Sequence, residues 1–208
     1  MLLCASMASK AITVGQIDTF QDGTTQFWEG AQPENVPTGG PSGVDDKFLK
    51  ITSIGGSGPN SHLATKNTGI WSGDWKAAGA TGIRLNVFNF GNTTLELRAV
   101  LFDFNNTKWT STVAQFVNPG TGWQQRTFTI TQAAMTRVGG TESFDFTSQN
   151  VIQLMIRHDA GGPSSGGTPI ASSLGMDNIL ATPEPSSILA MVLGGAAVAV
   201  LRRRSRIR

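Results

Sequence analysis

The chain has 208 residues, including 25 glycines, 9 prolines, one cysteine and no tyrosine. Its pI of about 9.0 misleads: five of its 16 Lys and Arg are Arg202, Arg203, Arg204, Arg206 and Arg208, and the other 11 face 14 Asp and Glu, leaving residues 1–185 at −3. A mildly acidic body gives no electrostatic case for a nucleic-acid partner, and the lone Cys4 allows no internal disulfide.

Residues 1–11, M-L-L-C-A-S-M-A-S-K-A, read as the remnant of a signal peptide. Ser6-Met7-Ala8 and Ser9-Lys10-Ala11 both fit a small-x-small cleavage pattern. The true start is then expected upstream; a ragged cytoplasmic N-terminus is the other reading.

Residues 12–181 form the body, and short strand-like runs separated by turn signals fill it. Ile17–Phe20 leads into Asp22-Gly23, and Thr25–Trp28 follows. Residues 30–46 read as a Gly/Pro/Asn loop, then Phe48–Ile54 alternates as F-L-K-I-T-S-I. After a loop at 55–60 comes His62–Lys66. Ile83–Phe90 places Ile83, Leu85 and Val87 on one face, and Leu95–Phe104 places Leu95, Leu97, Ala99 and Leu101 on one face. With Gly91-Asn92 between them, these two predict a hairpin. Trp109–Val117 and Trp123–Ile130 predict a second pair around Asn118-Pro119-Gly120. Gln132–Val138 predicts one or two helical turns. Val151–His158 lines up Ile152, Leu154 and Ile156, and Leu174–Leu180 closes the body. About nine or ten strands in one domain predict an all-β fold, a jelly-roll β-sandwich.

The tail, residues 182–208, differs in kind. Ile188–Leu201 is a run of fourteen apolar or glycine residues without a charge. As a helix it spans about 21 Å, short of a bilayer core of about 30 Å. It predicts a short transmembrane helix, because nothing on it can face water. A C-terminal amphipathic or core helix is the alternative. The five arginines behind it are cytoplasmic by the positive-inside rule, which puts the body on the other side.

Catalytic material is sparse. His62 and His158 are the only histidines, and no metalloprotease, nucleophile-elbow or phosphate-loop motif is present. Glu29, Glu34, Glu96 and Glu142 could pair for glycoside cleavage, but spacing places no two of them together. The chain is therefore expected to be a non-enzyme.

The five tryptophans are Trp28, Trp71, Trp75, Trp109 and Trp123. Aromatic planes offer stacking surfaces to sugar rings, with nearby polar groups for the hydroxyls. Trp71 and Trp75 fall in a predicted loop and are the candidate glycan-stacking rings, with His158 and Asp159 plus the loop Ala160–Ser173 as the other wall. The competing reading makes these rings structural, as it does Trp28 and Trp123.

Two resemblances extend this. Pro183-Glu184-Pro185, the short apolar span and the terminal arginines, in that order, resemble the PEP-CTERM sorting signal of Gram-negative bacteria that make exopolysaccharide. That resemblance implies export, transient residence in the inner membrane, and cutting near Pro183-Glu184-Pro185 by an exosortase, a membrane transpeptidase-like enzyme. It implies delivery to the cell surface or extracellular matrix.

The runs I-D-T-F-Q-D-G-T-T-Q-F-W, D-D-K-F-L-K-I-T and L-G-M-D-N-I resemble strands of jelly rolls of the carbohydrate-binding-module type, with a galactose-binding-like fold. The same plan resembles uncharacterised PEP-CTERM proteins. It implies a structural Ca²⁺ near the first and last strands, held by Gln21, the Asp45-Asp46 loop and Asp177, with Asp22 as a substitute for Gln21. Two functions follow: an exported module that binds or organises exopolysaccharide in a biofilm, or a structural matrix protein without a specific glycan.

Overall fold

A computed structural model describes residues 11–183. The signal-peptide remnant up to residue 10, Glu184, Pro185, the apolar run 188–201 and the arginine cluster lie outside the described residues. In chain order the strands are β1 (Ile17–Asp18), β2 (Trp28–Glu29), β3 (Glu34–Val36), β4 (Phe48–Ile54), β5 (Ala64–Asn67), β6 (Gly82–Asn89) and β7 (Leu95–Asp103). After these come β8 (Lys108–Ser111), β9 (Gln115–Val117), β10 (Gln124–Thr129), β11 (Met135–Gly139), β12 (Val151–His158) and β13 (Ala171–Thr182). Two short helices, α1 (Trp75–Ala78) and α2 (Phe144–Gln149), sit in connections.

The strands build two antiparallel sheets. The first runs β10-β6-β13-β4-β3, with β1 beside β13; the second runs β11-β8-β7-β12-β5-β2, with β9 beside β7. The inner faces meet in one core. Ile83, Leu85, Val87, Leu49, Ile51, Leu174 and Met176 come from the first sheet, and Leu95, Leu97, Ala99, Leu101, Leu154 and Ile156 from the second. Each of these side chains apart from Ala99 contributes about 1.5–3 kcal/mol by leaving water.

The predicted hairpin is overturned. β6 and β7 do not pair: β6 lies between β10 and β13, whereas β7 pairs β12, β8 and β9 in the other sheet. Gly91–Thr94 carries the chain over the edge of the sandwich. The alternation of both strands was legible, but it marks only the buried face. Strands that face each other across a core about 10 Å thick carry the same pattern as strands side by side. The second predicted pair fails for the same reason, since β10 pairs β6 and β9 pairs β7.

Other boundaries shift. The 30–46 loop contains the edge strand β3. Gln132–Val138 is a single 3-10 turn, Gln132–Ala134, followed by β11. A bulge between Val151 and Gln153 leaves Ile152 47% exposed and buries Val151 in its place. α1 starts at an Asp74 cap whose carboxylate accepts from the Ala77 N–H at 2.7 Å, and ends at Gly79 in the left-handed region, φ 69°. α2 is capped by Ser143, whose hydroxyl accepts from the Phe146 N–H at 3.1 Å.

Candidate functional site

Trp71 and Trp75 are not at the surface. They are 0% and 1% exposed and pack in a row with Trp28, ring centroids 6.2 and 6.1 Å apart. Their N–H groups are spent internally. Trp71 Nε1 and Trp28 Nε1 both donate to Asp18 Oδ2, at 2.6 and 2.8 Å, and Trp75 Nε1 donates to the Trp71 carbonyl at 3.1 Å. Burial raises the Asp18 pKa, against the pull of the two indoles. These rings are core and cannot stack on a sugar.

His158 and Asp159 are buried as well, 4% and 0% exposed. His158 Nδ1 accepts from the Glu96 N–H at 3.0 Å, and burial lowers its pKa while Glu96 and Asp159 oppose the shift. Asp159 is the hub of an internal ion cluster on the outer face of the second sheet. Its Oδ2 takes Arg157 at 3.0 Å and the Ser164 N–H at 3.0 Å, and its Oδ1 takes the Ser164 hydroxyl at 2.6 Å. Arg98 lies 3.9 Å away. The loop after β12 folds over this cluster through contacts of Arg157 with the Ser164 and Ser165 carbonyls. These residues hold a loop down; they do not line an open wall.

An open aromatic surface lies elsewhere, on the outer face of the first sheet. On β6 the residues alternating with the core are Arg84, Asn86 and Phe88. Phe88 is opposite Gly175 of β13, which is opposite Lys50 of β4. Gly175 leaves a hollow, and rings converge over it: a Cβ there would come within 2.9 Å of both Phe90 and Trp123 and within 3.3 Å of Phe48. Phe88 and Phe90 meet edge to face at 4.2 Å, Phe48 and Trp123 at 5.1 Å, and Phe48 stacks on Phe90 at 5.8 Å. Phe48 is the buried base, Phe88 and Trp123 are half-buried, and Phe90 is 43% exposed. Trp123 Nε1 donates to the Gly39 carbonyl at 2.9 Å, which fixes its ring.

Polar groups continue from the rings along β6. Asn86 is flanked by Gln125 and Asp177, and Arg84 by Thr127 and Leu180. The Asn178 amide, on a bulge at φ 50°, donates to Asn86 Oδ1 at 3.4 Å. The face thus joins a ring cluster to a strip of amides and hydroxyls. The sequence signal for it is slight: Phe88 and Phe90 alternate with the apolar face of the Ile83–Phe90 run. Nothing local joins Trp123 or Phe48 to them.

The residues suggested for Ca²⁺ are partly brought together. Gln21 Nε2 sits among three oxygens, Asp46 Oδ1 at 2.7 Å, the Thr19 carbonyl at 3.1 Å and the Lys47 carbonyl at 3.2 Å. Asp177 is fully buried, its Oδ1 has no hydrogen-bond partner among the described residues, and burial, with Asp46 as a smaller contributor, pushes its pKa up to about 7. Turning the Gln21 amide over would present one more oxygen. Asp46 links the two, bonded to Gln21 and close enough to Asp177 to raise its pKa, and hard oxygens of this kind suit a calcium ion. Asp22 and Asp45 stand apart. Asp22 accepts from the Thr24 N–H at 2.9 Å and stabilises its own turn. Asp45 is exposed at φ 68°, its N–H on the Thr38 hydroxyl at 3.2 Å. Among the described residues no three His, Cys, Asp or Glu side chains converge.

One further concavity, about 240 Å³, lies between α1 and α2 over Trp75, Ala80, Ile130 and Phe144, with the Lys76–Asp145 ion pair on its rim. Thr81, Thr131, Gln132 and Ser148 complete its lining, and its two rings, Trp75 and Phe144, are 1% and 9% exposed and offer no open stacking plane.

Residues 181–204 match the PEP-CTERM protein-sorting motif, so the chain carries that signal from the last two residues of β13 onward. No curated protein matches the chain in sequence. In shape the body is similar to part of an exo-beta-agarase, TM-score 0.58 at 11% identity, covering 83% of this chain and 26% of that one. A second agarase gives TM-score 0.55 at 9% identity, over 83% of this chain and 26% of the other. The body is also similar to a family 11 carbohydrate-binding module from Clostridium thermocellum, solved with a beta-1,3-1,4-mixed-linked tetrasaccharide. That match has TM-score 0.52 at 13% identity and covers 83% of this chain and 99% of the module. The chain spans about a quarter of the agarases' length. Identities this low show the fold, a jelly-roll sandwich, and no more.

Proposed function

We propose that this chain is an exported glycan-binding protein. Its tail routes it through the inner membrane to the cell surface or matrix, and its body holds polysaccharide on the outer face of the first sheet. The observation that carries the reading is the ring cluster of Trp123, Phe88, Phe90 and Phe48 over Gly175, left partly open to water on a face that continues into amides. The electron-rich face of a ring accepts the C–H face of a sugar, and side-chain amides exchange hydrogen bonds with its hydroxyls. Such a surface binds without covalent chemistry, and the pre-fixed Trp123 ring limits the ordering cost. The role in export follows from the motif: an exosortase recognises Pro183-Glu184-Pro185 and releases the body from its short span.

A Ca²⁺ held by Asp46, Asp177, Gln21 and the Thr19 and Lys47 carbonyls would tie the loops before β2 and β4 to β13. It would supply structural cross-linking next to the glycan face, not catalysis. The other reading, a matrix protein without a specific glycan, draws on the internal use of Trp71, Trp75, His158 and Asp159.

Affinity electrophoresis of the full chain through mixed-linked β-glucan and through polysaccharide from the producing cells tests the proposal. Retardation of the wild type, lost in Trp123→Ala and kept in Ile152→Ala on the opposite sheet, is expected. An unretarded wild type in both gels would favour the matrix reading. Fractionation of cells expressing a chain cut after Thr182 tests the export role: the body should fail to reach the surface.

A further inference from the structure

We infer that the glycan held on this face is acidic, with Arg84 receiving a sugar carboxylate. This rests on the reading of the face as a glycan site and adds the chemical class of its ligand. Two cations take outward positions on the strands of this face, Lys50 on β4 and Arg84 on β6. Lys50 is committed: its ammonium pairs with Glu34 at 2.9 Å across the β3–β4 ladder. Arg84 is exposed and, among the described residues, has neither an ion-pair partner nor a side-chain hydrogen bond. The other arginines of the body differ. Arg98 and Arg157 are buried on Asp159, Arg126 is bonded to the Phe116 carbonyl, and Arg137 is bonded to the Thr141 carbonyl beside the Trp109 ring.

The position of Arg84 matters as much as its freedom. It stands four residues from Phe88 on the same face of one strand, about 13 Å along it. Asn86 lies between, with Gln125 beside it and Thr127 beside Arg84 on β10. A chain of a few sugars stacked at the rings and running along β6 would therefore end at the guanidinium. The planar fork of that group matches the two oxygens of a carboxylate. The nearest acidic groups do not oppose this. Glu34 is neutralised by Lys50, Asp177 is fully buried, and Asp46 lies beyond β13 with its carboxylate on Gln21 and the Ser42 N–H.

The test is calorimetric titration of the full chain with tetragalacturonate and with the same tetramer after reduction of its carboxyl groups. The wild type should bind the acidic tetramer about tenfold tighter. Added salt should shrink that preference, Arg84→Gln should abolish it, and Arg84→Lys should retain part of it. Trp123→Ala should weaken both tetramers alike. Equal binding of the two by the wild type, or a preference that survives Arg84→Gln, overturns the assignment of an acidic ligand and leaves the glycan face standing. Binding of neither tetramer by a wild type that is still retarded in the glycan gels overturns the acidic ligand alone, and binding of neither by a wild type unretarded in those gels overturns the face with it.

Discussion

The indole N–H of Trp71 donates to Asp18 Oδ2 at 2.6 Å, with both residues sealed from water. Trp28 donates to the same oxygen at 2.8 Å, so one carboxylate from β1 holds two rings of the core. Asp18→Ala would leave two buried N–H groups unsatisfied. Each unmet group costs about 1–3 kcal/mol, so the variant should lose about 2–6 kcal/mol in urea unfolding, with little change in the slope. A loss under 1 kcal/mol would mean the rings find other acceptors.

The same carboxylate gives a pH signature. Burial raises the Asp18 pKa above its ordinary 3.8. For an acid whose folded pKa is raised, the native state binds more protons than the unfolded one between the two values. Its contribution is therefore fully present below about 3.8 and is lost as pH rises through the folded value. Asp18→Asn keeps an oxygen for the indoles and cannot ionise. Subtracting its stability-versus-pH curve from the wild-type curve should leave a difference that falls with rising pH. A flat difference would show that Asp18 titrates normally.

Gly175 is the floor of the ring cluster, and its substitution separates binding from folding. An added Cβ lands 2.9 Å from Phe90 and Trp123, so Gly175→Ala must push those rings aside. Overpacking of this sort costs about 1–3 kcal/mol. The variant should stay folded by far-ultraviolet circular dichroism, shift its tryptophan fluorescence, and lose retardation in glycan gels as fully as Trp123→Ala. Unchanged retardation would place the sugar elsewhere.

The sheet faces were legible in the sequence, but the partners were not. Ile83, Leu85 and Val87 announced a buried face, and β4 and β12 keep the predicted Phe48–Ile54 and Val151–His158 bounds. Alternation contains no information about which strand lies alongside, and so both hairpins were misjudged. The site was harder still. Trp71 sits in a loop, which suggested exposure, yet Asp18, 53 residues away, pulls it into the core. The rings that do face outward are assembled across strands, from Phe48, Phe88, Phe90 and Trp123 around one missing side chain. Such a cluster exists only once the register of β4, β6 and β13 is set.

Calcium should raise the melting temperature of the wild type, and chelation should lower it again. At a concentration of about 100 times Kd the gain is about 2.7 kcal/mol. Asp177→Asn removes a carboxylate from the oxygen set and should abolish the gain. Asp22→Asn and Asp45→Asn should leave it intact, because neither side chain reaches Gln21, Asp46 or Asp177. A wild-type melt indifferent to calcium would show that Asp177 is buried for another reason.

Asp159 provides the converse test, a residue that matters to stability and not to sugar. It accepts from Arg157 and from the Ser164 N–H and hydroxyl in the interior. Removing one partner of a buried pair strands the other charge, which costs about 3–5 kcal/mol. Asp159→Ala should therefore lower stability by about that amount and open the loop 160–168 to limited proteolysis. Arg157 would be left with its guanidinium buried beneath the Ser164 and Ser165 carbonyls. The first sheet does not depend on that loop for Phe88, Phe90 or Trp123. Glycan retardation measured at a temperature where the variant remains folded should match the wild type. Loss of retardation with the fold intact would return His158 and Asp159 to the binding surface and displace the ring cluster from it.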